Sequence, residues 1–183
     1  MKIVQYPHPA LRTKARPVTA LDGDIVKAAN EMLELMYKHE GLGLAAPQVA
    51  IPYRVLVMNF AGDAERLDQE YVAINPVIIE QKGTIDDREG CLSFPEMFGK
   101  VRRSKSVKVQ AYNLKGELYE MSASELPARV WQHEIDHLNG VLFLDKLGFV
   151  SRMNTKKDVE RFIAEFNEAK AKGELPPDME PKY

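Results

Sequence analysis

Cys91 is the only cysteine of the chain, and further along comes Gln132-His133-Glu134-Ile135-Asp136-His137, which holds two of the four histidines. On a helix, residues four apart lie one above the other, so His133 and His137 can grip one metal ion. Glu134 projects beside that face, where it reaches a metal-activated water without being a ligand. It is then the candidate general acid/base. Two nitrogens leave a catalytic divalent ion one protein ligand short of the usual three, and Cys91 is the candidate third. Taken singly, each piece has an ordinary alternative: His-Glu-x-x-His occurs on plain amphipathic helices, and a lone cysteine is often a small buried apolar residue.

The surroundings of each piece weigh against those alternatives. In Glu89-Gly90-Cys91-Leu92-Ser93, Gly90 permits close backbone approach and Leu92 offers a backbone N–H one residue past the thiol, a candidate oxyanion donor. Upstream, Gly41-Leu42-Gly43-Leu44-Ala45-Ala46-Pro47-Gln48 leads from glycine and leucine to a side-chain amide. A helix stop explains Gly41 but not the remainder.

These three segments, in this order, resemble the signature motifs of the peptide deformylases. The resemblance extends to Tyr6-Pro7-His8-Pro9 with Leu11-Arg12, and to Gly140-Val141-Leu142-Phe143, covering roughly residues 3 to 147. It implies hydrolysis of the N-formyl group of N-formylmethionyl nascent peptides by metal-bound hydroxide, with release of formate. Cys91, His133 and His137 would be the ligands and Glu134 the acid/base, with Gln48 and the Leu92 N–H holding the oxyanion. It also implies a peptide lying as an added strand near Gly43 and Gly90, with the methionine in a pocket of Leu42, Gly43, Leu126, Val130 and His133. Arg129 either contacts peptide, pairs with Glu89, or is a surface arginine. The loop 94–99 resembles the plastid and related bacterial branch, with Phe98 where some bacterial members carry arginine. Glu89, Gln132 and Asp136 are candidates for orienting the site, whereas His8 and His39 read as ordinary loop and helix-end histidines.

Cys/His/His suits Fe, Zn, Ni or Co; the resemblance implies Fe(II). Two other readings stay open. One is a His-Glu-x-x-His zinc peptidase with an acidic third ligand such as Asp145, Asp158, Glu160 or Glu165. The other is a non-catalytic module that binds nascent chains or uses its metal for structure.

Elements must position these groups. Ile25, Ala28, Ala29, Met32, Leu33 and Met36 recur at helical spacing, predicting a helix over 22–39 with Asp22 as N-cap. Residues 53–60 and 71–81 read as strands, and 106–112 with 117–122 as a hairpin turning at Asn113-Leu114-Lys115-Gly116. The metal helix is expected over 125–139, capped by Ser124, with Pro127 in its first turn and Gly140 at its end. Leu126, Val130, Ile135 and Leu138 would pack beside the histidines. A last helix over 155–172 is expected to open on a Thr155 capping box and dock by Val159, Phe162, Ile163 and Phe166. The whole predicts an α+β fold, with mixed or antiparallel sheets around a central metal-binding helix flanked by N- and C-terminal helices. One domain over 1–183 is expected, with 173–183 frayed.

Charge and composition exclude some roles. A formal net charge of −2 recruits no nucleic acid globally, and the run 100–105 (Lys-Val-Arg-Arg-Ser-Lys) reads as a solvated strand entry rather than a sequence-reading surface. No apolar run approaches a membrane span. One cysteine forms no internal disulfide, and the first residues show no signal core, so a reducing, cytoplasmic setting is expected. The resemblance further implies the ribosome near its exit tunnel as a partner.

Overall fold

The computed structural model describes residues 1–175; most of the tail expected to fray, 176–183, lies outside the described residues. Helix α1 (Gly23–Lys38) starts as the sequence dictates, since the Asp22 side chain accepts from the N–H groups of Asp24 and Ile25. Its buried stripe of Ile25, Ala29, Met32, Leu33 and Met36 packs against β1 (Gly43–Ala45) and β2 (Val55–Asn59).

Strands β3 (Glu70–Lys82), β6 (Ser106–Tyr112) and β7 (Leu118–Ser124) complete a five-stranded sheet in the order β1-β2-β3-β6-β7. All its neighbours are antiparallel, and so is the separate pair β4 (Ile85–Cys91) and β5 (Phe94–Arg103). The sheets are therefore antiparallel rather than mixed. The β6–β7 hairpin turns at Asn113–Gly116, where the Asn113 side chain accepts from Lys115 and Glu117 N–H and Gly116 takes φ +78°.

Helix α2 (Leu126–Leu138) crosses the inner face of the large sheet, burying Ala128, Val130, Trp131, Ile135 and Leu138 against Leu56, Met58, Ala73 and Val109. Its start corrects the expectation. Ser124 is not the cap, because it still pairs with Ser106 in the sheet, and Glu125 makes the turn at φ +57° without a side-chain cap. Pro127 does occupy the first turn, where its missing N–H costs nothing.

The C-terminal region also departs from expectation. A short α3 (Phe149–Asn154) precedes α4 (Lys156–Ala171), and Thr155 forms no capping box, since the chain is already helical there and its hydroxyl donates to the Ser151 carbonyl. Of the expected docking stripe only Phe162 is fully buried, edge-on to Phe94, while Ile163 is 37% exposed.

Candidate metal centre and peptide cleft

The two sheets each present an edge: β1 ends the large sheet, and β4 has only β5 beside it. Between them opens a cleft of about 660 Å³ with Cys91, His133 and Glu134 in its lining. Helix α2 supplies the floor with rigid side chains, because it is packed on both sides.

The Cys91, His133 and His137 donor atoms all lie within 4.8 Å of one another. Cys91 Sγ is 3.3 Å from His137 Nε2. His133 Nδ1 meets the Glu89 carboxylate at 3.2 Å, which turns the other ring nitrogen towards the thiol. A thiolate and two imidazoles converging like this fit a four-coordinate divalent ion with one open position. Among the described residues this is the one group of three or more such side chains that could hold a metal. It contains none of Asp145, Asp158, Glu160 and Glu165, the acids a zinc peptidase would have recruited.

Electrostatics agree with a cation there. Burial disfavours a charged His133, but the hydrogen bonds to Cys91 and Glu89 outweigh it and raise its pKa to about 10; the same partners favour a metal ion in the proton's place. His137 is pushed well below its ordinary value by burial and by its positive neighbours His133 and Arg103. It is therefore neutral, as a ligand must be.

Glu134 is buried beside this group. Burial, against the opposing pull of His133 and Arg103, lifts its carboxyl to about 7, where a group can both take and give a proton at neutrality. Among the described residues its Oε2 has no hydrogen-bond partner. Gly43 exists for this carboxylate: a Cβ at that position would sit 2.6 Å from Glu134 Oε1.

Gln48 is anchored as well as placed. Its Oε1 accepts from Ala45 N–H at 2.8 Å, and its Nε2 donates towards Cys91 Sγ at 3.5 Å and Ser93 Oγ at 3.3 Å. The Leu92 carbonyl accepts from the Gln5 amide. Leu42, Gly43, Gly90, Leu92, Val130 and Arg129 all line the cleft, as does Leu126. Leu126 is 46% exposed, so it faces the cleft instead of packing beside the histidines, because it lies on the first turn where α2 leaves the sheet.

Arg129 is not a free surface arginine. It pairs with Asp87 at 2.6 Å and Glu89 at 3.2 Å, and donates to the Arg88 carbonyl. Gln132 clamps the backbone of Ser104 through both N–H and C=O, tying α2 to the end of β5. Asp136 accepts from Arg103 and Lys146.

Sequence reasoning missed Arg103. Within the basic run read as solvated, its side chain is 1% exposed and forks onto both Glu89 oxygens at 2.7 and 2.9 Å while reaching Asp136 at 2.7 Å. Burial alone would raise the Glu89 carboxyl, but His133 and Arg103 overcome it and hold it at about 2. In the structure Arg103 follows Gly99 and Val101 on the inward face of β5, a period of two that appears only once the strand is in place. His8 also differs from an ordinary loop histidine: it is buried, and its Nδ1 accepts from Ala10 N–H. His39 remains a helix end, at the C-cap of α1.

A family model described as polypeptide deformylase matches residues 1–153. Peptide deformylase 1B, chloroplastic, of tomato (Solanum lycopersicum) is 46% identical over 148 residues, which is 80% of this chain and 53% of that protein. The peptide deformylase of Rhodopirellula baltica is 36% identical over 96% of this chain and 87% of its own length. The crystal structure of Arabidopsis thaliana peptide deformylase 1B with an inhibitor superposes with a TM-score of 0.89 at 38% identity, covering 96% of each chain.

Proposed function

The chain belongs to the peptide deformylase family, enzymes that remove the N-formyl group from nascent peptides with a divalent metal, and on that premise we propose how its own residues divide the work. Cys91, His133 and His137 hold the ion. When bound, the ion polarises the formyl carbonyl and makes water nucleophilic near neutral pH. Glu134 takes the proton of the attacking water and delivers it to the leaving amine, a double task suited to a carboxyl poised near 7. The Gln48 Nε2 and the Leu92 N–H hold the oxygen that gains charge. Gln48 suits this because its other end is fixed to Ala45.

The substrate lies extended between the free edges of β1 and β4, adding a strand to them. Gly43 and Gly90 lie on those edges, leaving room for Glu134 and the Phe98 ring, and Leu42, Leu126 and Val130 receive the methionine side chain. Arg129 braces the cleft wall through Asp87 and Glu89 rather than meeting the peptide head-on. Among Fe, Zn, Ni and Co we favour Fe(II) as the physiological ion. A thiolate ligand in an open cleft then makes activity sensitive to oxygen. The remaining proposals are one domain over 1–183, action on chains leaving the ribosomal exit tunnel, and a cytoplasmic site. The last rests on the single cysteine and the translational substrate. Among the described residues no helix is long and apolar enough to cross a membrane.

The observation that carries this reading is the convergence of three ligand atoms with Glu134 at the floor of one cleft. Its test is an anaerobic formate-release assay on a formyl-Met peptide, with metal analysis of the same samples. Glu134→Ala is expected to keep the metal and lose at least about 100-fold in turnover. Cys91→Ala is expected to lose both. A folded Cys91→Ala protein that still binds metal tightly overturns the ligand set.

A further inference from the structure

At the mouth of the cleft the side chains of Arg88 and Phe98 are stacked, the guanidinium carbon 4.5 Å from the ring centre. The register explains how they meet. Phe98 lies opposite Gly90 across the β4–β5 pair, and Arg88 is two residues before Gly90 on the same face. Because Gly90 has no side chain, the Phe98 ring swings over its backbone: a Cβ there would lie 2.6 Å from the ring. Arg88 then covers the ring diagonally, which leaves Phe98 49% exposed.

Arg88 differs from every other arginine of this hairpin. Arg102 pairs with Asp86, Arg103 with Glu89 and Asp136, and Arg129 reaches in from α2 to take Asp87 and Glu89. Among the described residues no carboxylate lies within ion-pair distance of the Arg88 guanidinium. A guanidinium stacked on a ring is held in place and weakly hydrated, which suits it to pair with an incoming carboxylate.

We propose that Arg88, propped on Phe98, is a specificity determinant that selects an acidic side chain at the second or third residue of the formylated peptide. The inference rests on the reading that the peptide runs beside β4 with its formyl group at Cys91. Arg88 is three residues from Cys91 along the strand, roughly 10 Å at 3.3 Å per residue, the reach of an extended peptide's second and third residues. Glu40 and Glu96 also line this cleft. The preference is therefore positional, set by the strand register of Arg88, and not a general attraction of the cleft for acids.

The experiment compares kcat/KM for formyl-Met-Ala-Ala-Ala with peptides carrying Glu or Lys at the second or third position, in wild type, Arg88→Gln and Phe98→Leu. Wild type is expected to favour Glu over Lys by about fivefold at one of those positions, mainly through KM, and the ratio should shrink with added salt. Arg88→Gln should bring the ratio to about one, and Phe98→Leu should lower it part of the way. A wild-type ratio of one, or a ratio unchanged in Arg88→Gln, overturns the proposal. The all-alanine peptide separates the two levels: if wild type fails to release formate from it, the deformylase reading has failed, and if it turns over normally while the ratio is flat, only the Arg88 assignment has.

Discussion

Helix α2 buries ten of its thirteen residues, and α4 buries one of sixteen. Both carry ion pairs, but of different kinds. Around α2, Arg103, Arg129, Glu89 and Asp136 interlock with side chains 1 to 16% exposed, whereas on α4 Arg161–Glu165 and Lys172–Glu168 sit in solvent. Charges taken out of water are costly unless partnered, so the α2 network holds its members to a narrow set of positions. Exposed pairs fix almost nothing. This chain keeps its buried polarity where two imidazoles, a thiol and a carboxylate converge, and docks its last helix through apolar contacts, with Phe162 buried, Val159 partly buried beside it and Phe166 edge-on to His8.

Breaking the α2 network should have the largest effect. Arg103→Met leaves Glu89 buried with part of its partnership gone, and removing one member of a buried pair costs about 3–5 kcal/mol. Because Glu89 orients His133, metal affinity should fall about 10- to 100-fold as well. Arg103→Lys keeps the charge but loses the fork, so it should recover stability more than metal affinity. Denaturant unfolding and metal competition, run on the same proteins, separate the two. Unchanged metal affinity in both variants would reduce Arg103 to a purely structural role.

The counterpart on α4 is Phe162→Ala. Truncating a buried phenylalanine costs about 3–5 kcal/mol where the whole fold depends on it. Here the loss should be local, since Phe162 is the one fully buried residue of the helix. Hydrogen exchange is expected to show α4 amides losing protection while α2 amides keep theirs, with metal content unchanged. Loss of protection in α2 would show that the two helices form one cooperative unit.

The same contrast marks what was legible in the chain. The two histidines of the candidate metal site were readable because i, i+4 spacing on a helix is a local rule, and Pro127 and Gly140 lie within two residues of the helix ends. Arg103 was not, because it sits in a run with Lys100, Arg102 and Lys105, which are exposed. Its partners come from β4 and α2, fourteen and thirty-three residues away. The β4–β5 pair was likewise hidden, as Asp86, Asp87 and Arg88 make a poor strand by composition and are held there by cross-strand bonds such as Arg102 to Asp86. The Thr155 capping box fits the local pattern yet does not form, because α3 runs into α4 and leaves no free helix start to cap.

The smallest expected effect comes from a pair between these extremes. Arg12 and Asp145 form a two-pronged bridge joining the start of the chain to the segment after α2, with side chains 42% and 38% exposed. Partial burial opposes ionisation of Asp145, but Arg12 and the Leu142 N–H prevail and hold its carboxyl below the ordinary carboxylate range. A folded-state pKa lowered in this way contributes stability that is fully present above the unfolded value, near 4, and is lost as pH falls through the folded one. With this much solvent at the bridge, the contribution should be at most about 1 kcal/mol. Asp145→Asn should therefore be slightly less stable than wild type from pH 6 to 8, and the difference should close in acid, below about pH 4. Urea midpoints across that range, read at low and high salt, provide the check. A difference that persists undiminished at pH 3 would mean that the fit of the side chain against Arg12 matters more than its charge, since an amide oxygen can still accept from the Leu142 N–H.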